Sequence, residues 1–304
     1  MKFLALLGAL ALSYYKPHQK IDLLQQLYAP YARWLEHNCN DGRRQHGIIA
    51  WLLGVLLPVA AVAAIYYALF AVHALLGIVF GMGVLYLTLR ISQFGRRAEG
   101  IASALQASNM EQARTIYNGW EGADSESYSG TELARAAIET VLRRSHQGLF
   151  GPVFWFAVLG PAGAFLYRLA HLARQEWQDP QNPQFSQFTE RAFHYLDWLP
   201  ARITAGCFAI VGDFEDAVYC WRMQSASWGD KSLGILLASG AGALGVKLGQ
   251  PLPEQGVLRY RPEIGLGDDA DADYLRSSVG LVWRVLVLMV GLLFLLTFAN
   301  WLGH

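Results

Sequence analysis

The stretch IIAWLLGVLLPVAAVAAIYYALFAVHALLGIVFGMGVLYLTL, residues 48–89, contains no Asp, Glu, Lys or Arg. It has room for two helices of about 20 residues each, the length that crosses a hydrocarbon core of about 30 Å. Residues 70–74 would form the turn between them. Because two core helices of a soluble protein would normally show polar faces, the stretch predicts a transmembrane hairpin.

Further charge-poor runs lie on both sides of this hairpin. They are residues 3–12, 149–166, 199–211 and 285–302, of which only the third contains a charge, Arg202. The sequence GPAGA at residues 160–164 permits either a close approach of helices or a break in the helix. Together the runs predict an all-α fold, a polytopic membrane helical bundle of about five or six hydrophobic segments with a helical cytoplasmic domain.

Hydropathy divides the chain into five regions. They are an N-terminal hydrophobic helix and transmembrane hairpin (1–89), a polar helical domain (90–148), membrane segments with the GPAGA and PAR motifs (149–220), a second polar region (221–278) and a C-terminal transmembrane helix (279–304). In the first polar region, apolar residues at helical spacing are interrupted by a Gly, Asp and Ser-rich stretch at residues 119–130. This pattern predicts helix, loop, helix.

Composition supports a membrane protein and its orientation. The chain is 54% hydrophobic and 16% charged, against about 45–50% and about 25% in soluble domains. Its formal net charge is zero, which argues against nucleic acid as a partner and leaves the lipid bilayer. Arginines flank the hairpin at positions 43, 44, 90, 96 and 97. The positive-inside rule therefore predicts a multi-pass protein of the bacterial inner membrane with residues 90–148 in the cytoplasm.

Neither a disulfide framework nor a metal site is expected. The three cysteines are far apart in sequence, and the histidines show no metal-binding spacing. Four aspartates lie between residues 268 and 273, but they lack the ligand order of an EF-hand. We interpret them as a solvated loop.

Short motifs in a common order carry a family resemblance. They are NMEQAR (109–114), GADS (122–125), IETV (138–141), PVFW (152–155), YR (167–168), PAR (200–202) and AGALGVKL (241–248). This set resembles the CobD/CbiB superfamily, the membrane-bound adenosylcobinamide-phosphate synthases of cobalamin biosynthesis. The resemblance implies an ATP-dependent ligation of an amino alcohol to a corrinoid carboxylate, with Mg-nucleotide and a corrinoid as the bound molecules.

Other residues depart from the synthase pattern and resemble a second branch. Where that pattern carries carboxylates and amides, this chain has Arg143, Arg144, Gln147, His171, Leu172, Arg174, Phe193, His194 and Asp197. The sequences LDWLPAR (196–202) and VGDF (211–214) look like AmpE, an inner-membrane protein linked to β-lactamase regulation. We therefore expect an AmpE-like noncatalytic sensory or binding protein with an unknown cofactor; the alternative is the cobalamin-biosynthesis enzyme. Its ligand would be a small phosphorylated or envelope-derived molecule, and an oligomer is possible.

The polar and charged residues of these motifs form a candidate pocket. Its members are Asp124, Glu139, Arg143, Arg144, Tyr167, Arg168, His171, Arg174, Asp197 and Arg202. An arginine inside an apolar run costs about 2.5–3.5 kcal/mol on insertion scales and usually faces a bundle interior or a cavity. We expect Arg202 to pair with Asp197 or Glu139, unless it extends to the membrane interface.

Two further contacts are expected among these residues. Glu139 and Arg143 are four residues apart on one predicted helix, the spacing of an ordinary solvated ion pair. Arg144, Arg168 and Arg174 could form a basic pocket for phosphate, pyrophosphate or a lipid head group. Alternatively, these three charges only fix the topology.

Overall fold

The computed structural model describes residues 2–15, 23–40, 44–122, 124–178, 183–254 and 257–302, and almost all of its regular structure is helical. The helices in chain order are α1 (Lys2–Tyr15), α2 (Leu23–Cys39), α3 (Arg44–Trp51), α4 (Leu57–Val72), α5 (Ala74–Thr88), α6 (Ile91–Gln106), α7 (Met110–Glu121), α8 (Gly130–Ser145), α9 (Gly151–Leu159), α10 (Pro161–Glu176), α11 (Pro183–Val211), α12 (Phe214–Gln224), α13 (Lys231–Leu244) and α14 (Ala272–Leu302). A short antiparallel hairpin, β1 (Leu252–Glu254) and β2 (Val257–Arg259), lies between α13 and α14. The all-α prediction is confirmed.

Two helical stretches are long and apolar enough to cross a membrane. They are Gln45–Val72, in which the π-helical turn Leu52–Leu56 joins α3 to α4, and Ala272–Ala299 within α14. Only 22% and 28% of their apolar windows are buried, whereas the core helix of a soluble protein would be mostly covered. The protein therefore presents long apolar surfaces that suit lipid, and we describe it as a membrane protein.

The predicted turn of the hairpin is present at His73. Helix α4 ends at Val72 and α5 begins at Ala74, and the Nδ1 atom of His73 accepts the Leu75 N–H at 3.2 Å. Helix α5 has 15 residues, so it is about 22 Å long. It is apolar but shorter than the span that was predicted for it.

The apolar run at residues 149–166 does not form one straight crossing. Helix α9 ends at Leu159, Gly160 takes the φ of +70° and ψ of −154° that glycine allows, and α10 begins at Pro161. A Cβ on Gly163 would lie 2.2 Å from the Trp155 carbonyl oxygen, so α10 packs closely on α9. With nine residues, α9 reaches only about 14 Å. The run is therefore two helices rather than one, and the structure has both the break and the close helix approach that GPAGA permits.

The first of two compact units contains residues 1–91 and 147–200. Helix α1 packs on α5, and α10 contacts α2, α4 and α5. Its core includes the fully buried Trp177 and Phe185, whose rings meet edge to face at 5.7 Å. The Trp177 Nε1–H donates to the Ala32 carbonyl at 3.0 Å, which joins α2 to the end of α10.

The second unit contains residues 92–146 and 201–304, and it is built around α8. Ser129 and Glu132 form a capping box that starts this helix. Residues 133–142 of α8 are buried, and the helix contacts α7, α13 and α14. Glycines in α13 allow this packing, since a Cβ on Gly240 would lie 2.7 Å from a methyl of Leu142. The five regions predicted from hydropathy are continuous stretches of sequence, whereas each compact unit combines two separate stretches. The five regions remain a prediction.

Candidate functional site

The candidate residues fall in both units. Tyr167, Arg168, His171, Arg174 and Asp197 belong to the first unit, and Asp124, Glu139, Arg143, Arg144 and Arg202 belong to the second.

In the first unit, a buried hydrogen bond joins α10 to α11. The Tyr167 hydroxyl donates to Oδ1 of Asp197 at 2.6 Å, and both residues are buried. A carboxylate oxygen only accepts, so the Tyr167 hydroxyl is the donor of this bond.

Phe193 lies at the centre of the same cluster. Its ring centroid is 5.5 Å from that of Tyr167 and 5.3 Å from that of His171, and the Arg174 guanidinium lies 5.2 Å from it. Arg174 Nε also donates to Glu190 at 2.8 Å. The chain departs from the synthase pattern at 171, 174 and 193. Two of these residues, His171 and Arg174, thus lie against the ring of the third, Phe193. We call Tyr167, His171, Arg174, Phe193 and Asp197 the Asp197 cluster; Arg168 is buried on the same helix.

In the second unit, Glu139 of α8 is held by two partners from the segment between α13 and α14. Its Oε1 accepts the Gly249 N–H at 2.8 Å, and its two oxygens accept hydrogen bonds from Arg261 at 2.6 and 3.3 Å. Arg261 also donates to the carbonyls of Gly249 and Gln250. We call Glu139, Gly249 and Arg261 the Glu139 cluster. Its ion pair is mostly shielded, because the two side chains are 10% and 17% exposed.

The backbone beside Glu139 takes conformations that few residues adopt. Gly249 has a φ of +76°, and a Cβ there would lie 2.0 Å from the Pro262 carbonyl oxygen. Gln250 follows with a φ of +63°, which is uncommon for a residue other than glycine. Such conformations persist where the surrounding contacts fix them. Here the contacts of Glu139 and Arg261 do so.

Three arginines converge on the end of α7. Arg143 donates to Glu121, Arg144 donates to Glu121 at 2.5 Å and to the Trp120 carbonyl at 2.7 Å, and Arg97 donates to the Gly119 carbonyl at 3.2 Å. Cations are favourable at a helix C-terminus, where carbonyl groups lack partners within the helix. We call Glu121, Arg143 and Arg144 the Glu121 cluster. Its side chains are 14% to 29% exposed, so the cluster is only partly shielded from solvent.

Several expected contacts are corrected or remain open. The Glu139–Arg143 ion pair is wrong, because Glu139 is bound by Arg261 and Arg143 by Glu121; tertiary partners replace the helical neighbour. Asp124 is exposed and accepts the Glu126 N–H at 3.0 Å, as in an Asx turn. Arg202 is half-buried on α11. Its expected pairing with Glu139 is wrong, because Arg261 and Gly249 bind that carboxylate, and its pairing with Asp197 stays a prediction.

Tyr117 of α7 adds a buried hydroxyl to the second unit. Burial first, and then the charge of Glu121, raise its pKa, so it is protonated at neutral pH. Within the described ranges, no three His, Cys, Asp or Glu side chains come together in a way that could hold a metal ion.

Some residues of these clusters escaped the sequence reasoning. Arg261 and Glu121 stand outside every recognised motif, and no sequence signal links them to Glu139 or to the arginines. Phe193 was noticed only as a departure from the synthase pattern. Gly249 directly follows the AGALGVKL motif, and that neighbourhood was the one signal available.

The chain is similar to a family of known proteins over most of its length. The family model described as CobD/Cbib protein matches residues 13–282. A cobalamin biosynthesis protein CobD of Stutzerimonas stutzeri is 33% identical, with 99% of this chain and 98% of that protein covered. Proteins of the same name from Chromobacterium violaceum and Halalkalibacterium halodurans are 32% and 24% identical; they cover 69% and 92% of this chain and are themselves covered to 68% and 90%. No solved structure matches.

Proposed function

Because this chain belongs to the CobD/CbiB family, we propose that it acts in cobalamin biosynthesis and joins an amino alcohol to a carboxylate of a corrinoid. The relatives named above are cobalamin biosynthesis proteins, and one of them aligns with nearly the whole chain. Their names favour the enzyme alternative over the AmpE-like sensory function that was expected first, and they do not support the latter.

The observation that carries the proposal is the meeting of two family-like motifs at Glu139. This carboxylate belongs to IETV, and its partner Gly249 directly follows AGALGVKL, 110 residues further along the chain. A buried carboxylate that accepts one backbone N–H and a forked guanidinium has a fixed position. In the proposal, Glu139 is a positioning residue that holds Gly249 and Arg261 for the substrate.

The corrinoid carboxylate must be activated before the amine attacks it. Direct attack would have to expel oxide from the acyl carbon, and oxide is a poor leaving group. With ATP, a carboxylate oxygen of the corrinoid attacks the γ-phosphorus, the bond to the β–γ bridging oxygen breaks, and an acyl phosphate and ADP result. The amine then attacks the acyl carbon, inorganic phosphate leaves, and the nitrogen loses a proton. Arg143 and Arg144 would stabilise the phosphate oxygens that gain charge, while Glu121 fixes the two guanidinium groups.

Magnesium would accompany the nucleotide in this reaction. Mg²⁺ is usually held by one or two carboxylates together with substrate phosphates and water. The part of the chain that the structure describes gathers no three-residue set of metal-binding side chains, so it does not fit a cage made by the protein alone.

We place the protein in the inner membrane as a multi-pass protein. The exposed apolar surfaces of Gln45–Val72 and Ala272–Ala299 support a bilayer location, and the arginines beside the hairpin support a cytoplasmic position for residues 90–148. ATP and the amino alcohol are water-soluble, so the Glu139 and Glu121 clusters would then lie on the side on which the substrates are present.

A noncatalytic binding function is the second candidate, and the Asp197 cluster favours it. An apolar ring, Phe193, lies at the centre of the cluster, and Arg174 is paired with Glu190. Positions 171, 174 and 193 are among those at which the synthase pattern carries carboxylates and amides. A pocket changed in this way suits ligand binding without catalysis, in which case the ligand would be a small phosphorylated or envelope-derived molecule.

Complementation separates these two functions. We expect the gene to restore cobalamin synthesis from a corrinoid precursor in cells that lack their own synthase. Glu139→Gln should reduce this growth by at least about tenfold, because it weakens the charge-assisted bonds to Arg261 and Gly249. Arg222→Leu, at an exposed position of α12, is the matched control and should complement as the unaltered chain does.

Protein levels in the membrane fraction must be measured for each strain. If the unaltered protein is present at normal levels and growth is not restored, the enzymatic proposal is wrong and the binding function remains. If Glu139→Gln complements fully, Glu139 does not have the positioning role assigned to it.

A further inference from the structure

Helix α2 carries an apolar stripe on an exposed face. The members of the stripe recur at spacings of four, three and four residues, which places them along one side of the helix; they are Leu23, Leu27, Pro30 and Trp34, and all four are exposed. Leu27 and Trp34 are 75% and 59% exposed. Within the described ranges, the protein thus leaves most of these two side chains uncovered. An exposed apolar surface of this kind marks a place where something other than water binds.

The flank beside this stripe is polar. It contains Gln26, Arg33 and His37, which are spaced by seven and four residues and are all exposed. The helix is too polar to cross a bilayer, because a span needs about 20 predominantly apolar residues. An apolar stripe beside a polar flank is typical instead of a helix that lies on a membrane surface.

Helix α2 crosses the first apolar span rather than following it. The Tyr31 hydroxyl donates to the Leu53 carbonyl of the span at 3.1 Å. A Cβ on Gly54 would lie 3.1 Å from a methyl of Leu35 and 3.3 Å from the Tyr28 hydroxyl. Residues from two turns of α2 therefore meet two consecutive residues of the span.

This crossing lies at the level of a membrane surface. Leu53 and Val72, the last residue of α4, are 19 residues apart, which corresponds to about 28 Å along a helix. That distance is close to the thickness of a hydrocarbon core, about 30 Å. With the turn at His73 at one surface of the core, Leu53 and the helix bound to it lie at the other.

The stripe adjoins the apolar surface of the span. The ring of Trp34 stacks on that of Tyr31, with centroids 6.3 Å apart and planes inclined by 13°, and Tyr31 is bonded to Leu53. Around this contact the span exposes further large apolar side chains, namely Ile49, Leu52 and Leu56. Tryptophan and tyrosine are enriched where a membrane meets water. The lipid that covers the span therefore reaches the stripe as well.

We propose that α2 lies in the plane of the membrane interface and inserts Leu23, Leu27 and Trp34 into a phospholipid bilayer. Such helices bury their apolar face about 5–10 Å deep, at the boundary of head groups and acyl chains. The lipid need not be anionic, because α2 carries one arginine, one glutamate and neither lysine nor aspartate. This inference rests on the bilayer location given above and is independent of the proposed reaction.

Spin labels report what covers the stripe. In a chain without its three native cysteines, placed in phosphatidylcholine nanodiscs, a nitroxide on Leu27→Cys should be readily accessible to oxygen, which concentrates in lipid, and poorly accessible to a water-soluble nickel chelate. Gln26→Cys, at the adjacent exposed position on the polar flank, is the matched control. Insertion to about 5–10 Å should make the ratio of oxygen to nickel accessibility about threefold or more higher at Leu27→Cys than at Gln26→Cys.

A third label separates this inference from the bilayer location. Ile65→Cys, at an exposed position of α4, should give the highest ratio of the three. If Leu27→Cys matches Gln26→Cys while Ile65→Cys is in lipid, the proposal is overturned and the bilayer location stands. If Ile65→Cys is also in water, both fail. Low accessibility of Leu27→Cys to both reagents would show that protein, such as a second copy of the chain, covers the stripe, and it would overturn the proposal too.

Discussion

Gly249 takes a backbone conformation that the Glu139 cluster requires. With its φ of +76° and the Pro262 carbonyl 2.0 Å from the site of a Cβ, Gly249→Ala combines left-handed strain with a steric clash. A non-glycine residue in this region costs about 1–2 kcal/mol from strain alone, and the clash adds to that. We therefore expect a loss of at least about 2 kcal/mol, measured by denaturant unfolding in detergent.

Gly119→Ala provides the control for this substitution. Gly119 lies inside α7, and nothing lies within 4 Å of its Cβ position. Alanine is the better helix former, so this change should stabilise the protein by about 0.5–1 kcal/mol. Equal stability of Gly249→Ala and the unaltered protein would show that the backbone at Gly249 is not fixed as described.

The ion pair between Glu99 and Arg276 should make the stability of the protein depend on pH. Hydrogen bonds from Arg276 at 3.1 and 3.2 Å are the main cause that lowers the pKa of Glu99 below its ordinary 4.5. The pair therefore contributes stability above pH 4.5, and this contribution is lost as the pH falls through the lower folded value. In Glu99→Gln, the loss of stability below about pH 4.5 should be smaller than in the unaltered protein. Thermal melts measure it, and they are run at low salt because salt screens an exposed ion pair.

Glu126→Gln is the control for Glu99→Gln, because Glu126 is exposed and takes part in no ion pair of the described residues. It should leave the acid profile unchanged. An acid profile of Glu99→Gln that coincides with that of the unaltered protein would contradict the role of the Arg276 contact.

At the residue scale, the sequence predicted identities better than contacts. Glu139, Tyr167 and Asp197 were recognised from motifs, and the structure places all three in buried polar clusters. The partner expected for Glu139 was a neighbour on the same helix, whereas its actual partner Arg261 is 122 residues away in sequence. Pairing over such a distance depends on how α8 and the loop after α13 pack, and no local spacing encodes that packing.

At the element scale, Gly163 allows α10 to pack on α9. A Cβ at this position would lie 2.2 Å from the Trp155 carbonyl oxygen, so Gly163→Ala must push the two helices apart. We expect a loss of about 1–3 kcal/mol from overpacking, read from thermal melts in detergent. Gly206→Ala in α11 is the control, since nothing lies within 4 Å of its Cβ position. A Gly163→Ala protein as stable as that control would contradict the close packing at the break.

Hydropathy predicted the elements that face lipid better than those that turn inside the protein. The charge-free run at residues 48–89 indicated both helices and the turn at His73, because length and the absence of charge are visible in composition. Hydropathy alone could not distinguish a span from the broken segment around Gly160, although the GPAGA sequence permitted a break there. Both are equally apolar, and only the close approach at Gly163 separates them.

At the scale of the whole molecule, the orientation in the membrane is open to a direct test. The loop between α7 and α8 should be cytoplasmic, since arginines flank the hairpin on that side. Ser125 is buried, so the exposed Glu126 is the better site for a cysteine. In a chain without its three native cysteines, Glu126→Cys should resist an impermeant maleimide in intact cells and react after permeabilisation. Efficient labelling of intact cells would contradict the predicted orientation and place this loop outside the cytoplasm.

Amide formation by the purified protein is the most direct measurement of the proposed function. The protein in nanodiscs, supplied with ATP, Mg²⁺, an amino alcohol or its phosphate, and a corrinoid carboxylic acid, should yield the corrinoid amide by mass spectrometry, with ADP and phosphate in equal amounts. Glu139→Gln should lower the rate at least about tenfold, and Arg222→Leu should not. If the folded, unaltered protein forms no amide and consumes no ATP, the proposed enzyme function is contradicted.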